Sequence, residues 1–337
     1  MTSIVDTAKF NGNILVARGG KVVYQKSFGM ADFYTKAELN DSSLFELASV
    51  SKQFTAMGIM MLKEQGRLAY EDDVKRYIPE LPYEGMTIRH FLTHTSGIPA
   101  YEENFEGWDS NAIAFNEDMI NLLAKKKPSV LFTPGEKWEY SNTAYAMLAT
   151  IIERVTKKSY ADFLQENIFT PLNMKRTRVF NTRRSTKEVI PNYAFGFVYS
   201  DSLKKYVLPD SLPSLHYVYT LDGIVGDGTV NSTTTDLLVW DQALYTEKLV
   251  KQTTLQDAYT PVKLKNDSTF NYGFGWGIEK DSILGKTVQH SGGWPGYVTY
   301  IKRYLEKNYC IILLTNNEGK GMNSALTEIS RRLQVAQ

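Results

Sequence analysis

The 337-residue sequence holds one cysteine, Cys310, and four histidines, His90, His94, His216 and His290. A single thiol cannot close an internal disulfide, so this is not a disulfide-stapled scaffold, and the redox compartment stays open. Cys310 lies within the apolar run Tyr309-Cys310-Ile311-Ile312-Leu313-Leu314 and reads as a core residue rather than a nucleophile. His90 and His94 stand at an i, i+4 spacing. The glutamate of a zinc-protease helix is missing between them and no other ligand cluster accompanies them, so neither metal nor other cofactor is expected. No charge of one sign is in excess: 38 basic and 37 acidic residues leave a formal net charge of +1. That balance argues against nucleic acid or an anionic membrane as partner. No segment approaches the roughly 18 apolar residues that span a bilayer. The first residues lack the basic leader and apolar core of an export signal. The expectation is a periplasmic or secreted protein if such a signal has been removed, and a cytoplasmic one otherwise. Oligomeric state is not readable here.

With 43% apolar residues there is enough material for one large domain or two packed lobes. Strands are expected at 13–17 and 21–28, joined by Arg18-Gly19-Gly20, where the glycines supply a tight hairpin. From Val50 the apolar spacing becomes helical through Phe54, Met57, Met61 and Leu62, with Gly66 as a stop. Further helices are expected at 118–125, 143–156 and 160–169, the last ended by Pro171. Residues 176–220 read as a loop-rich excursion of the kind that often borders a substrate. Short strands return at 287–290, 297–303 and 309–315, the first two split by Gly292-Gly293-Trp294-Pro295-Gly296, and a helix at 321–333 closes the chain. The expected class is α/β (α+β): an antiparallel sheet from both chain ends, flanked by helices, with a mostly helical lobe inserted. In residue numbers, 1–48 and 265–337 would form the sheet lobe and 49–264 the helical one, with the active site between them.

Three motifs carry chemistry. Ser49-Val50-Ser51-Lys52 places a hydroxyl and an amine one helical turn apart. A serine hydroxyl is a poor nucleophile without a base beside it, and a buried lysine gives up its proton more readily than an exposed one. The helix start adds backbone N–H groups suited to an oxyanion. About one Ser-x-x-Lys is expected by chance in a chain of this length, and a second copy does occur at Ser202–Lys205, in polar sequence with no apolar helix behind it. Tyr140-Ser141-Asn142 is the only Tyr-x-Asn present, although there are 21 tyrosines. Its phenol could relay a proton and its amide could orient lysine and substrate; the plainer reading is a half-buried tyrosine and a helix-capping asparagine. His290-Ser291-Gly292-Gly293 ends a strand with two residues that let a substrate backbone approach its edge, and His290 could donate a hydrogen bond to a substrate carboxylate.

In this order the motifs resemble the serine β-lactamase and penicillin-binding-protein superfamily, with the strongest likeness to class C β-lactamases and related esterases and D-amino-acid peptidases. Ala48–Thr55 looks like the nucleophile helix, and Thr87–Ile98 is similar to a stretch typical of that branch. Gly226-Asp227-Gly228 with Ser232, Asp236 and Trp240 also matches, as does Tyr272-Gly273-Phe274-Gly275-Trp276. His290–Gly296 resembles the branch that carries His-x-Gly where others carry Lys-Thr-Gly. The resemblance implies a β-lactamase/DD-peptidase-like fold and an acyl-enzyme on Ser49, with Lys52 and Tyr140 sharing the proton transfers. Asn142, His290, Gly292 and Gly293 would contact substrate, the N–H groups of Ser49 and Gly293 forming the oxyanion hole. No match to the Ser-Asp-Asn motif or the glutamate loop of class A enzymes is found. The expected substrates are β-lactams or D-amino-acid peptides, β-lactamase or carboxypeptidase activity ranking ahead of esterase activity. A binding module without catalysis is the rival reading, against which the presence of every motif residue weighs.

Overall fold

The computed structural model describes residues 10–103, 109, 111–181 and 188–335. Its centre is a six-stranded antiparallel sheet in the order Gly277–Asp281, Gly285–Trp294, Tyr297–Tyr304, Tyr309–Thr315, Gly12–Arg18, Lys21–Phe28. The two chain ends meet where Gly12–Arg18 pairs with Tyr309–Thr315, Gly12 opposite Thr315 and Arg18 opposite Tyr309. Gly19 and Gly20 both hold positive φ, +54° and +73°, as the tight hairpin there demands.

Both faces of the sheet are covered, so its middle strands are apolar on both sides. Along Tyr309–Thr315, Tyr309, Ile311 and Leu313 join Ile14 and Val16 under the C-terminal helix Met322–Val335, through Ala325, Ile329 and Leu333. Cys310, Ile312 and Leu314 face the other way, into the large core shared with Leu237 and Trp240 of the helix Thr234–Ala243. Cys310 is thus a core residue, as read from its neighbours. At about 1.5–3 kcal/mol per large side chain buried, this two-sided packing explains why the run shows no polar alternation.

The helices between the two sheet halves are Lys52–Glu64, Asn116–Lys126 and Asn142–Thr156, with shorter pieces around them. Each lies within two residues of its expected bounds. Two expectations need correction. Tyr160–Leu164 continues through a π-type turn, Gln165–Phe169, into Thr170–Leu172, so Pro171 does not stop the chain at 169. Proline lacks only a donor that the first residues of a turn do not use, and the chain leaves the helix at Asn173 in the left-handed conformation. Gly292, Gly293 and Trp294 are not a turn either: they pair with Thr299, Val298 and Tyr297 as the last rungs of a ten-residue strand. The excursion at 176–220 is irregular as expected, holding a small hairpin of Val198–Ser200 with Lys205–Val207 and several single turns; its residues 182–187 lie outside the described ones. The second Ser-x-x-Lys falls at that hairpin's turn. Among the described residues, no helix is long and apolar enough to cross a membrane.

Candidate active site

Ser49 sits in a short 3-10 segment, Ala48–Ser51, that runs directly into the helix Lys52–Glu64. Ala48 holds a left-handed φ of +47°, a conformation that costs a residue with a Cβ about 1–2 kcal/mol. Lys52 is fully buried. Its Nζ donates to Ser49 Oγ at 3.0 Å, to Asn142 Oδ1 at 2.8 Å and to the main-chain oxygen of Asp227 at 2.7 Å. These three acceptors fix the amine in place beside Ser49. The same Nζ lies 4.9 Å from the centre of the Tyr140 ring and 5.7 Å from that of Tyr145.

The segment 226–230 ties this helix start in place. Thr55 Oγ1 donates to Gly226 O at 2.6 Å, and Ser51 Oγ accepts from Val230 N at 3.1 Å. Asp227 turns its carboxylate to the Tyr101 hydroxyl at 2.9 Å. Burial raises its carboxyl above the usual carboxylate range, with Lys52 pulling the other way.

Asn142 opens the helix Asn142–Thr156, but it is not the cap. Ser141 is, its hydroxyl accepting from Ala144 N at 3.1 Å. That frees the Asn142 amide, which accepts from Lys52 and donates to Glu102 Oε1 at 2.7 Å. Tyr140, exposed on this side, makes no hydrogen bond through its hydroxyl among the described residues.

His290 departs from expectation. Its Nδ1 lies 2.6 Å from its neighbour's carbonyl, Ser291 O, which can only accept, so Nδ1 carries the proton. Nε2 then accepts from the Tyr272 hydroxyl at 2.9 Å. Burial, reinforced by Lys52, lowers the imidazole to about 3, against the opposing effect of its bond to Ser291. The ring is neutral with both nitrogens engaged, so the hydrogen bond to a substrate carboxylate expected from the sequence has no free ring nitrogen here.

The two glycines differ. The Gly277–Asp281 strand stops pairing at Gln289, so beyond that point the Gly285–Trp294 strand is not bonded to it. A Cβ on Gly292 would stand 2.2 Å from Leu47 O and 2.3 Å from Thr299 Oγ1. The approach Gly292 permits is therefore that of the nucleophile segment, not of substrate. A Cβ on Gly293 would meet nothing within 4 Å. Gly293 borders an open cleft together with Ser49, Asn142 and the acidic residues Glu46, Asp222 and Asp227.

Of the residues expected from the sequence, Ser49, Asn142 and Gly293 border that cleft. Lys52 lies behind them, bonded to Ser49 and Asn142. Its Nζ is 4.9 Å from the centre of the Tyr140 ring, and the Tyr140 and His290 rings are 6.2 Å apart, centre to centre. Sequence reasoning gave no role to Tyr101, Glu102, Tyr272 or the Asp227 carbonyl. A main-chain acceptor leaves no trace in residue type, although Gly226-Asp227-Gly228 and Tyr272–Trp276 had drawn notice as family-like stretches. His90 serves locally: its Nδ1 accepts from Thr87 N at 3.1 Å at the start of the short helix Ile88–Leu92. His94 falls beyond that helix, so the two do not share a helical face.

A serine paired with a buried lysine between an antiparallel sheet and a helical layer defines a serine hydrolase that works through an acyl-enzyme. The chain belongs to the beta-lactamase family, whose model matches residues 6–336. It is 49% identical to Penicillin-binding protein 4* of Bacillus subtilis (strain 168) over 311 residues, 92% of this chain and 69% of that one. A penicillin-binding protein from Bacillus halodurans superposes with a TM-score of 0.83 at 23% identity, covering 97% of this chain and 96% of that one. A D-amino acid amidase from Ochrobactrum anthropi SV3 superposes at 0.80 with 24% identity, covering 99% and 98%. At those identities the two structures speak to the fold alone.

Proposed function

We propose that Ser49 is the nucleophile and that its substrates are β-lactams or peptides and amides of D-amino acids. The observation carrying this reading is the 3.0 Å contact of Lys52 Nζ with Ser49 Oγ at the edge of a cleft. Attack forms the bond from Ser49 Oγ to the acyl carbon. The hydroxyl proton leaves through Lys52 and Tyr140 and reaches the departing nitrogen or oxygen as its bond to carbon breaks. Water then attacks the ester, and its proton passes through Tyr140 to Ser49 Oγ as the bond from Oγ to the acyl carbon breaks and the acid leaves. Asn142 holds Lys52, and the N–H groups of Ser49 and Gly293 stabilise the oxyanion. His290 acts by fixing the strand end and Tyr272 rather than as a cation. Residues 1–48 with 265–337, and 49–264, are the two lobes between which we place this site.

The lining charge favours one branch of that range. Glu46 and Asp222 border the cleft, and no lysine or arginine does so among the described residues. The Asp227 carboxyl is turned to Tyr101, Lys52 lies behind Ser49, and His290 is neutral. A substrate bearing an ammonium, such as a D-aminoacyl amide, suits this wall better than a penicillin carboxylate. The names of the relatives include both chemistries, a penicillin-binding protein and a D-amino acid amidase. The rival readings are an esterase of the same fold and a binding module without turnover.

The test is a panel of nitrocefin, D-aminoacyl p-nitroanilides, their N-acetylated counterparts and p-nitrophenyl acetate, read as kcat/KM with wild-type and Ser49→Ala protein. Turnover lost in Ser49→Ala, with N-acetylation costing tenfold or more, is the expected result. Turnover that survives Ser49→Ala would remove Ser49 from its role.

A further inference from the structure

Tyr140 is held from both sides by one residue outside the motifs. His94 accepts from Glu139 N through its main-chain oxygen at 2.9 Å, and from Ser141 N through its ring Nδ1 at 3.1 Å. These are the amides immediately before and after Tyr140. The His94 ring lies 4.3 Å from the Tyr140 ring, centre to centre, tilted by 38°. It is fully buried, with Tyr272 at 4.7 Å and Tyr145 at 5.0 Å. Because Nδ1 accepts, the proton sits on Nε2, which has no acceptor among the described residues. A buried polar hydrogen left without an acceptor is costly, on the order of 1–3 kcal/mol. His94 also holds a left-handed φ of +60°, a second strain at the same residue. An apolar residue would avoid the first cost only by taking the acceptor from Ser141 N, so the imidazole is kept at a place where its Nδ1 holds the chain beside Tyr140.

We propose that His94 is a positioning residue for the reaction: by clamping residues 139 and 141 and backing the Tyr140 ring, it sets that ring beside Lys52 and, through Ser141, the helix start that carries Asn142. The inference rests on the catalytic role given above to Tyr140. It assigns His94 no contact with substrate and no proton transfer. What the imidazole supplies is an acceptor at one fixed place and a flat ring face beside Tyr140. Asparagine is the conservative replacement, since its amide oxygen can take the Nδ1 place and it tolerates the left-handed backbone. Glutamine carries its amide one bond further out and loses that place.

The experiment uses His94→Asn, His94→Gln and His94→Leu, each alone and in a Tyr140→Phe background. The readouts are kinact and KI for labelling of Ser49 by a fluorophosphonate, with thermal melts alongside. His94→Leu and His94→Gln should lower kinact about 10- to 100-fold, within the range of a misplaced acid–base group, while KI changes less than about threefold. His94→Asn should recover most of that loss. In the Tyr140→Phe background, His94→Leu should cost less than about threefold more, because two residues acting through one step are not additive. If His94→Leu does not fold, the Asn and Gln proteins decide the matter by the same comparison. Losses that multiply in full with Tyr140→Phe, or an Asn protein as slow as the Gln protein at equal melting temperature, would overturn the positioning role. A Tyr140→Phe protein labelled at the wild-type rate would instead strike at the role of Tyr140 itself, a failure visible in that single variant.

Discussion

Lys52 and Asp227, 175 positions apart in the chain, are joined by a 2.7 Å hydrogen bond from the amine to a main-chain carbonyl oxygen. Asn142 supplies a second acceptor from another element, and Ser49 the third. The amine is thereby held at one point by groups from three separate parts of the chain, and a rotation away from Ser49 would forfeit buried hydrogen bonds.

Replacement of Lys52 follows from that arrangement. Lys52→Met should lower the acylation rate by at least about 10³-fold, as loss of an activating base does. It should also destabilise by about 1–3 kcal/mol by leaving Asn142 Oδ1 and Asp227 O without a donor. Asp227→Asn keeps both the carbonyl and an acceptor for Tyr101, so its acylation rate should stay within a few-fold of wild type. Stopped-flow acylation and urea melts read both effects.

The paired glycines separate folding from function. Gly292→Ala drives a methyl into two fixed oxygens and should cost about 1–3 kcal/mol, with lower activity because the displaced neighbour is the Ser49 segment. Gly293→Ala meets no protein atom, so its melting temperature should match wild type while its kcat/KM falls through intrusion on the cleft. Equal melting temperatures for the two variants would contradict the packing described here.

Acid should weaken the fold through His290. Below about pH 6.5 an unfolded chain protonates this residue, whereas the folded chain leaves it neutral down to about 3. Its contribution is therefore complete above pH 6.5 and is lost as the pH falls towards 3, by at most about 1.4 kcal/mol per pH unit. His94, also held well below its ordinary value by burial and by Lys52, acts in the same direction. Urea midpoints at pH 7 and pH 4.5 should show a smaller drop in His290→Gln than in wild type. By the same reasoning the pH–rate profile between 5 and 8 should carry no limb from His290.

A buried ion pair anchors the sheet to the helix Thr234–Ala243. Arg303 Nε donates to Asp241 Oδ1 at 2.5 Å with both residues fully buried, and a second nitrogen reaches the Asp241 carbonyl at 3.0 Å. Arg303→Met should cost about 3–5 kcal/mol by stranding a buried carboxylate, and Arg303→Met with Asp241→Leu should recover much of that loss. Chemical denaturation of the single and double variants measures the difference.

Much of this protein was legible in its residues alone. Helical spacing located the long helices, and apolar runs with glycine turns located the strands, because burial of a repeating face is a local pattern. Ser49 with Lys52 was readable for the same reason, one helical turn being the distance their chemistry requires. Other features depended on the assembled fold. Whether Asn142 caps its helix or serves Lys52 depended on Ser141 taking the cap. Gly292 proved to admit the Ser49 segment, a contact between strands and helices far apart in sequence. The neutrality of His290 comes from burial and from Lys52, far from it in sequence. A sequence carries its periodicities and its local spacings; desolvation, main-chain acceptors and the filling of each lone pair arise only once distant segments are packed together.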